Sequence, residues 1–166
     1  MAWVNPSLFS SGQTAGVSAN LNLVVADLLV PGSASTTYTP VWGASVTNPT
    51  ISSGTITGNY WQIGKLVIGK FKITMGTTTN VGSGNYTVSL PVATAVGYGT
   101  EEYLGGGFFK HTAGSRYQLS NWWNTSTTLA LLYISGTGVT ASLGSATPTA
   151  PTSGDVISGQ FMYESA

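Results

Sequence analysis

The chain contains no cysteine, which excludes a disulfide framework, thiolate catalysis and zinc held by thiolates. It is also nearly without charge: five Lys plus Arg and five Asp plus Glu make 6% of its 166 residues, against about a quarter in an ordinary soluble domain. A formal net charge of zero removes the attraction that supplies most non-specific affinity for DNA or RNA, so no nucleic-acid partner is expected. No apolar run approaches the ~18–20 residues of a membrane helix, and no membrane insertion is expected. The opening Met1-Ala2-Trp3-Val4-Asn5-Pro6 has no basic stretch ahead of an apolar core, so it does not read as a signal peptide. The one histidine, His111, has no second to share a transition metal with, and no metal or cofactor is expected.

What is present is small, neutral and hydrogen-bonding. Ser and Thr make up roughly a quarter of the chain beside 22 Gly, in the range of all-β proteins. Hydrophobic residues at 42% and aromatics at 11% exclude disorder. The length suits one compact domain with short appendages. A net charge near zero favours association, the first sign that the chain belongs to an assembly.

Residues 1–31 read as an anchoring or oligomerising segment. Trp3, Val4, Leu8 and Phe9 surround Pro6 without a regular period, which suits an extended arm. Thr14 can cap a helix in which Val17, Leu21, Val24, Val25 and Leu28 fall on one face, with Ser18, Asn20, Asn22 and Asp27 on the other, until Pro31-Gly32 stops it. An amphipathic helix of about four turns is too short to stand alone, so it must dock, on another protein or on its own copies through Val17, Leu21, Val24 and Leu28.

Residues 32–37 read as a small polar linker, and 38–166 as a β domain in which β-branched and aromatic runs alternate with Gly, Asn, Pro and Ser clusters. The predicted strands are Tyr38–Trp42, Thr55–Ile63, Leu66–Met75, Tyr86–Leu90, Tyr103–Lys110, Arg116–Ser120, Thr128–Ile134 and Asp155–Tyr163. The third is the clearest, with Val67, Phe71, Ile73 and Met75 on one face and Lys70, Lys72 and Thr74 on the other. Gly69 on its apolar face marks a bulge or a close neighbour. TLALLYI (128–134) is apolar almost throughout and is expected to be covered on both faces, by the domain and by another subunit. The run 136–151 reads as loop.

Five carboxylates and one histidine are a thin inventory for an enzyme, and none is expected. Glu101 and Glu102 would point to opposite faces of a strand, which argues against a glycosidase pair. His111 reads as a lone histidine on a surface loop. Gly97-Tyr98-Gly99 and Gly105-Gly106-Gly107 match no phosphate-binding loop and read as turns and bulges. One stretch has the residue types of a sugar site: in Tyr117 to Asn124, Tyr117, Trp122 and Trp123 supply rings for the apolar face of a pyranose and Asn121 an amide for its hydroxyls. The same rings would equally serve a core and a subunit interface.

Two stretches carry a family resemblance. Trp3, Gly12-Gln13-Thr14-Ala15, Leu21-Asn22 and Asp27-Leu28-Leu29 form the first. Tyr38-Thr39-Pro40, Trp42, Thr47-Asn48-Pro49-Thr50, Gly58-Asn59-Tyr60, Ile63-Gly64-Lys65, Thr74-Met75-Gly76, Ser89-Leu90-Pro91-Val92 and Gly154-Asp155-Val156-Ile157 form the second. Together they resemble structural proteins of tailed phages that infect actinobacteria: capsid decoration proteins, head fibres and minor tail or fibre proteins. The resemblance implies an antiparallel β-sandwich, jelly-roll-like, behind an N-terminal arm and one short helix. It implies a non-enzymatic virion component, commonly a homotrimer, anchored by its N-terminal segment to the major capsid protein or to tail proteins. A fibre module would instead touch a host-surface glycan.

Overall fold

The computed structural model describes residues 35–95, 102–135 and 138–166. They form ten strands: β1 (Thr36–Tyr38), β2 (Trp42–Ala44), β3 (Thr55–Ile63), β4 (Leu66–Thr74), β5 (Tyr86–Ser89), β6 (Tyr103–Lys110), β7 (Arg116–Thr125), β8 (Thr128–Ser135), β9 (Gly138–Ser142) and β10 (Val156–Glu164). No helix occurs among the described residues. The N-terminal arm and helix expected over 1–31, with Trp3, Leu8, Phe9, Val17, Leu21, Val24, Val25 and Leu28, lie outside them.

Every ladder is antiparallel, and all ten strands join one sheet in the order β1-β3-β4-β10-β6-β7-β8-β5-β2, with β9 sharing the free edge of β8. The path brings β1 and β2 to opposite edges although only Thr39, Pro40 and Val41 separate them in the chain. Laid flat, eight strand spacings of about 4.8 Å would hold the edges about 38 Å apart. Three connecting residues reach about 14 Å at most. The sheet therefore curls into a half-barrel, and its inner face closes on one core.

Alternation decides which side chains enter that core. Along β4, Val67, Phe71 and Ile73 are buried while Leu66, Ile68, Lys70 and Lys72 face out. Ile157, Phe161 and Tyr163 of β10, Phe109 of β6, Leu119 of β7, Leu129 and Leu131 of β8 and Trp42 of β2 join them. Gly69 is the close neighbour expected: a Cβ there would lie 2.4 Å from the Phe161 ring.

Several boundaries differ from the sequence reading. Tyr38–Trp42 is two strands rather than one, because Pro40 has no N–H to give a ladder. Thr36 and Thr37, placed in the linker, pair with Tyr60 and Asn59 in the sheet. The strand expected over Arg116–Ser120 runs on through Trp122 and Trp123 to Thr125. The run 136–151, read as loop, contains β9. In β8, Leu129 and Leu131 fill the core while Ala130, Leu132 and Ile134 are half-buried on the outer face.

Candidate functional site

Nine large apolar side chains are exposed among the described residues, and seven share one surface, the outer face of β3, β4, β10 and β6. Trp61, Ile63, Leu66, Ile68, Tyr103, Phe108 and Met162 are 37–60% exposed there. Register aligns them: Trp61 is level with Ile68, Ile68 with Met162, and Ile63 with Leu66. Sheets that face water on one side carry polar residues there, so this band is the departure that marks an interaction surface.

Beside the band the face turns polar. Thr57, Lys72, Ser158 and Phe108 make one level row, and Asn59, Lys70 and Gln160 the next. Gly106 and Ser158 are low, whereas Lys70, Lys72 and Phe108 stand up around them, leaving a trough of about 550 Å³. A second cavity of about 550 Å³ adjoins it among Trp61, Ile68, Tyr103 and Met162, with Lys70, Gly106 and Gln160 common to both.

The trough ends where β6 parts from β10. Their ladder runs from Val156 opposite Lys110 to Gly159 opposite Gly107 and stops. A bulge between Tyr103 and Gly105 then shifts the register of β6 on β7. The Gly106 and Gln160 carbonyls accept instead from the buried Asn121 side chain, whose Nδ2 lies 3.2 and 2.8 Å away. A buried carbonyl needs a donor, and Asn121 supplies both from beneath the floor.

This places the four residues of the expected sugar site. Alternation along β7 sends Tyr117, Asn121 and Trp123 inward and Trp122 outward. Tyr117 stacks on Phe109 with ring centroids 5.8 Å apart. Asn121 is fully buried, and Trp123 donates its indole N–H to Thr94 Oγ1 at 2.9 Å. Trp122 is half-buried, level with Ala130 of β8. The four share no open face, so they form no common stacking platform.

His111 is not the lone surface histidine expected. Its Nδ1 lies 2.7 Å from Oδ2 of Asp155, a fully buried carboxylate 44 residues away. Asp155 also accepts from the backbone N–H groups of Thr112 and Thr152, both at 2.7 Å, and from both threonine hydroxyls. An ionised carboxylate only accepts, so Nδ1 of His111 is the donor in this contact. Burial pushes the Asp155 carboxyl up, and the hydrogen bonds from Thr112, Thr152 and His111 outweigh it, holding the group below its usual range. The cluster ties the turn after β6 to the segment entering β10. Its hydroxyls point to the carboxylate, so they are spent on that tie.

Glu102 is exposed, while Glu101 and Gly97-Tyr98-Gly99 lie outside the described residues. Among the described residues no group of three metal-ligating side chains occurs, and no helix is long and apolar enough to cross a membrane. Sequence reasoning missed the outer face because its members come from four strands that sit side by side only after folding. The chain has no match among protein-family models, curated proteins or solved structures.

Proposed function

We propose that this chain is a non-enzymatic structural protein of a tailed-phage virion, a capsid decoration or head-fibre (minor capsid) protein that works as a homotrimer. Residues 1–31 anchor it to the major capsid protein through the arm and amphipathic helix, and the β unit projects. In this reading the two halves of the curled sheet act as the facing layers of a jelly-roll-like sandwich.

The observation that carries the assembly is the apolar band. With about 200 Å² per large side chain, the exposed fractions of Trp61, Ile63, Leu66, Ile68, Tyr103 and Met162 leave about 600 Å² of apolar surface. A stable interface buries about 800 Å² per partner, so the band with a polar rim has the size of one subunit contact. A surface almost without charge suits a packed lattice, where few ions need desolvation. The family resemblance supplies the virion. A tail-fibre or minor tail module that touches host-surface glycan is the second reading, favoured by the trough beside Phe108, where Thr57, Asn59, Ser158 and Gln160 stand near an exposed ring.

Light scattering on the full chain tests the assembly: the expected mass is three times 17.1 kDa, falling to the monomer when Ile68→Glu and Met162→Glu are combined. Mass spectrometry of particles purified from phage-producing cells tests the location. A monomer at every concentration, together with particles that lack the chain, would overturn the reading.

A further inference from the structure

Charge on the outer face is segregated although the chain is neutral overall. Along β4 and β6, alternation puts Lys70, Lys72 and Lys110 on that face, and Arg116 of β7 lies directly opposite Lys110. Like charges facing each other across two strands cost stability. None of the four makes an ion pair among the described residues. Of the described carboxylates, Asp155 is buried and fully hydrogen-bonded. Glu164 lies at the other end of β10 beside Lys65, and Glu102 precedes the far end of β6. Among the described residues the basic cluster therefore has no counter-charge beside it.

Phe108 stands amid these cations, level with Lys72 and two residues from Lys110, and the residue is 43% exposed. The trough it borders is lined by hydroxyl and amide side chains, Thr57, Asn59, Ser158 and Gln160. Its volume of about 550 Å³ falls within the ~300–1,000 Å³ usual for small-ligand sites. A ligand matching this surface carries negative charge for the lysines, hydroxyls for the amides and an apolar C–H face for the ring.

We propose that the trough between Lys70, Lys72 and Phe108 binds an acidic oligosaccharide, its carboxylate or sulfate groups held by the lysines and one sugar ring stacked on Phe108. Single-stranded nucleic acid also offers anions and stacking faces, but successive bases want several rings and a longer cationic track. The trough has one exposed ring and two cations, Lys70 and Lys72, with Lys110 and Arg116 beyond it, and Thr57, Asn59, Ser158 and Gln160 offer partners for hydroxyls. This assignment holds whether the chain sits on a head or a tail, and it uses none of Tyr117, Asn121, Trp122 and Trp123.

The test is calorimetric titration of the full-length protein with tetragalacturonate, a heparin tetrasaccharide, neutral maltotetraose and an oligothymidylate of matched charge. At least one acidic sugar is expected to bind, and to weaken about tenfold when salt rises from about 20 to about 150 mM. Maltotetraose is expected to bind about tenfold more weakly than that sugar. Replacing Lys72 and Lys110 together by Gln is expected to cost about tenfold, and Phe108→Ala a similar factor. Lys65→Gln, beside Glu164 and outside the trough, is expected to change nothing. Silence with both acidic sugars, affinity unchanged in the Lys72→Gln/Lys110→Gln protein, or tighter binding of the oligothymidylate would each overturn the proposal. Circular dichroism of the surface variants checks that the fold is intact.

Discussion

Asp155 holds two loops with a single carboxylate. The ionised form makes every one of its hydrogen bonds, and its pKa is held below the unfolded value of about 3.9. Its contribution to stability is therefore whole above about pH 4 and drains away as pH falls through the lower folded pKa. Asp155→Asn puts an amide N–H₂ where a backbone N–H already points, that of Thr112 at Oδ1 or that of Thr152 at Oδ2. It should cost about 2–4 kcal/mol in urea unfolding at pH 7 and flatten the loss of stability below pH 4. An acid limb as steep as that of the parent would show that another carboxylate controls it. Gly69 has the opposite problem, too little room. Gly69→Ala drives a Cβ to 2.4 Å from the buried Phe161 ring and should destabilise by about 1–3 kcal/mol; a midpoint unchanged in urea would refute that contact. The sequence could mark Gly69 as an anomaly on an apolar face. That the neighbour is Phe161, 92 positions on, is a fact of β10 pairing with β4.

Within a single strand, the period-2 pattern was readable where one face is buried and the other wet. β3 and β6 keep their predicted bounds, β4 ends one residue early and β10 shifts by one residue at both ends, because each alternates cleanly or ends in turn residues. On β4 the pattern predicts a sharp contrast. Ile73→Ala should cost about 2–5 kcal/mol, whereas Ile68→Thr, on the outer face, should fall within about 0.5 kcal/mol for the fold. Equal losses at both sites would mean that the outer face is covered, by its own chain or by a partner copy. β7 was legible only in part. Its second half, Asn121 to Thr125, lies beyond the predicted strand, since the burial of Asn121 depends on carbonyls freed by a bulge in β6. β9 was missed altogether, a five-residue strand of mostly small residues, GVTAS, whose partner β8 supplies the apolar half of the pairing.

For the molecule as a unit, residues 35–166 contain the whole described sheet and its core, and the chain divides into compact units between Ala34 and Ser35. Expressed alone, residues 35–166 should keep a β-type circular dichroism spectrum and unfold in one cooperative transition. A broad, non-cooperative melt would place part of the core's support in residues 1–34. Closure of the sheet follows from the short passage between β1 and β2 rather than from any strand's own preference. The same closure sets the outer face apart as the surface left for partners.

The sequence by itself determined the β class, the near-neutral surface, the absence of thiol chemistry and the inward residues of the best-patterned strands. These depend on composition and on neighbours one or two residues away. The tertiary structure alone decided the strand order, the pairing of His111 with Asp155 and the gathering of Trp61, Ile68, Tyr103 and Met162 into one band beside a basic trough. Each joins residues tens of positions apart. Such contacts are fixed by which strands lie side by side, and a period along one strand carries no information about its neighbours.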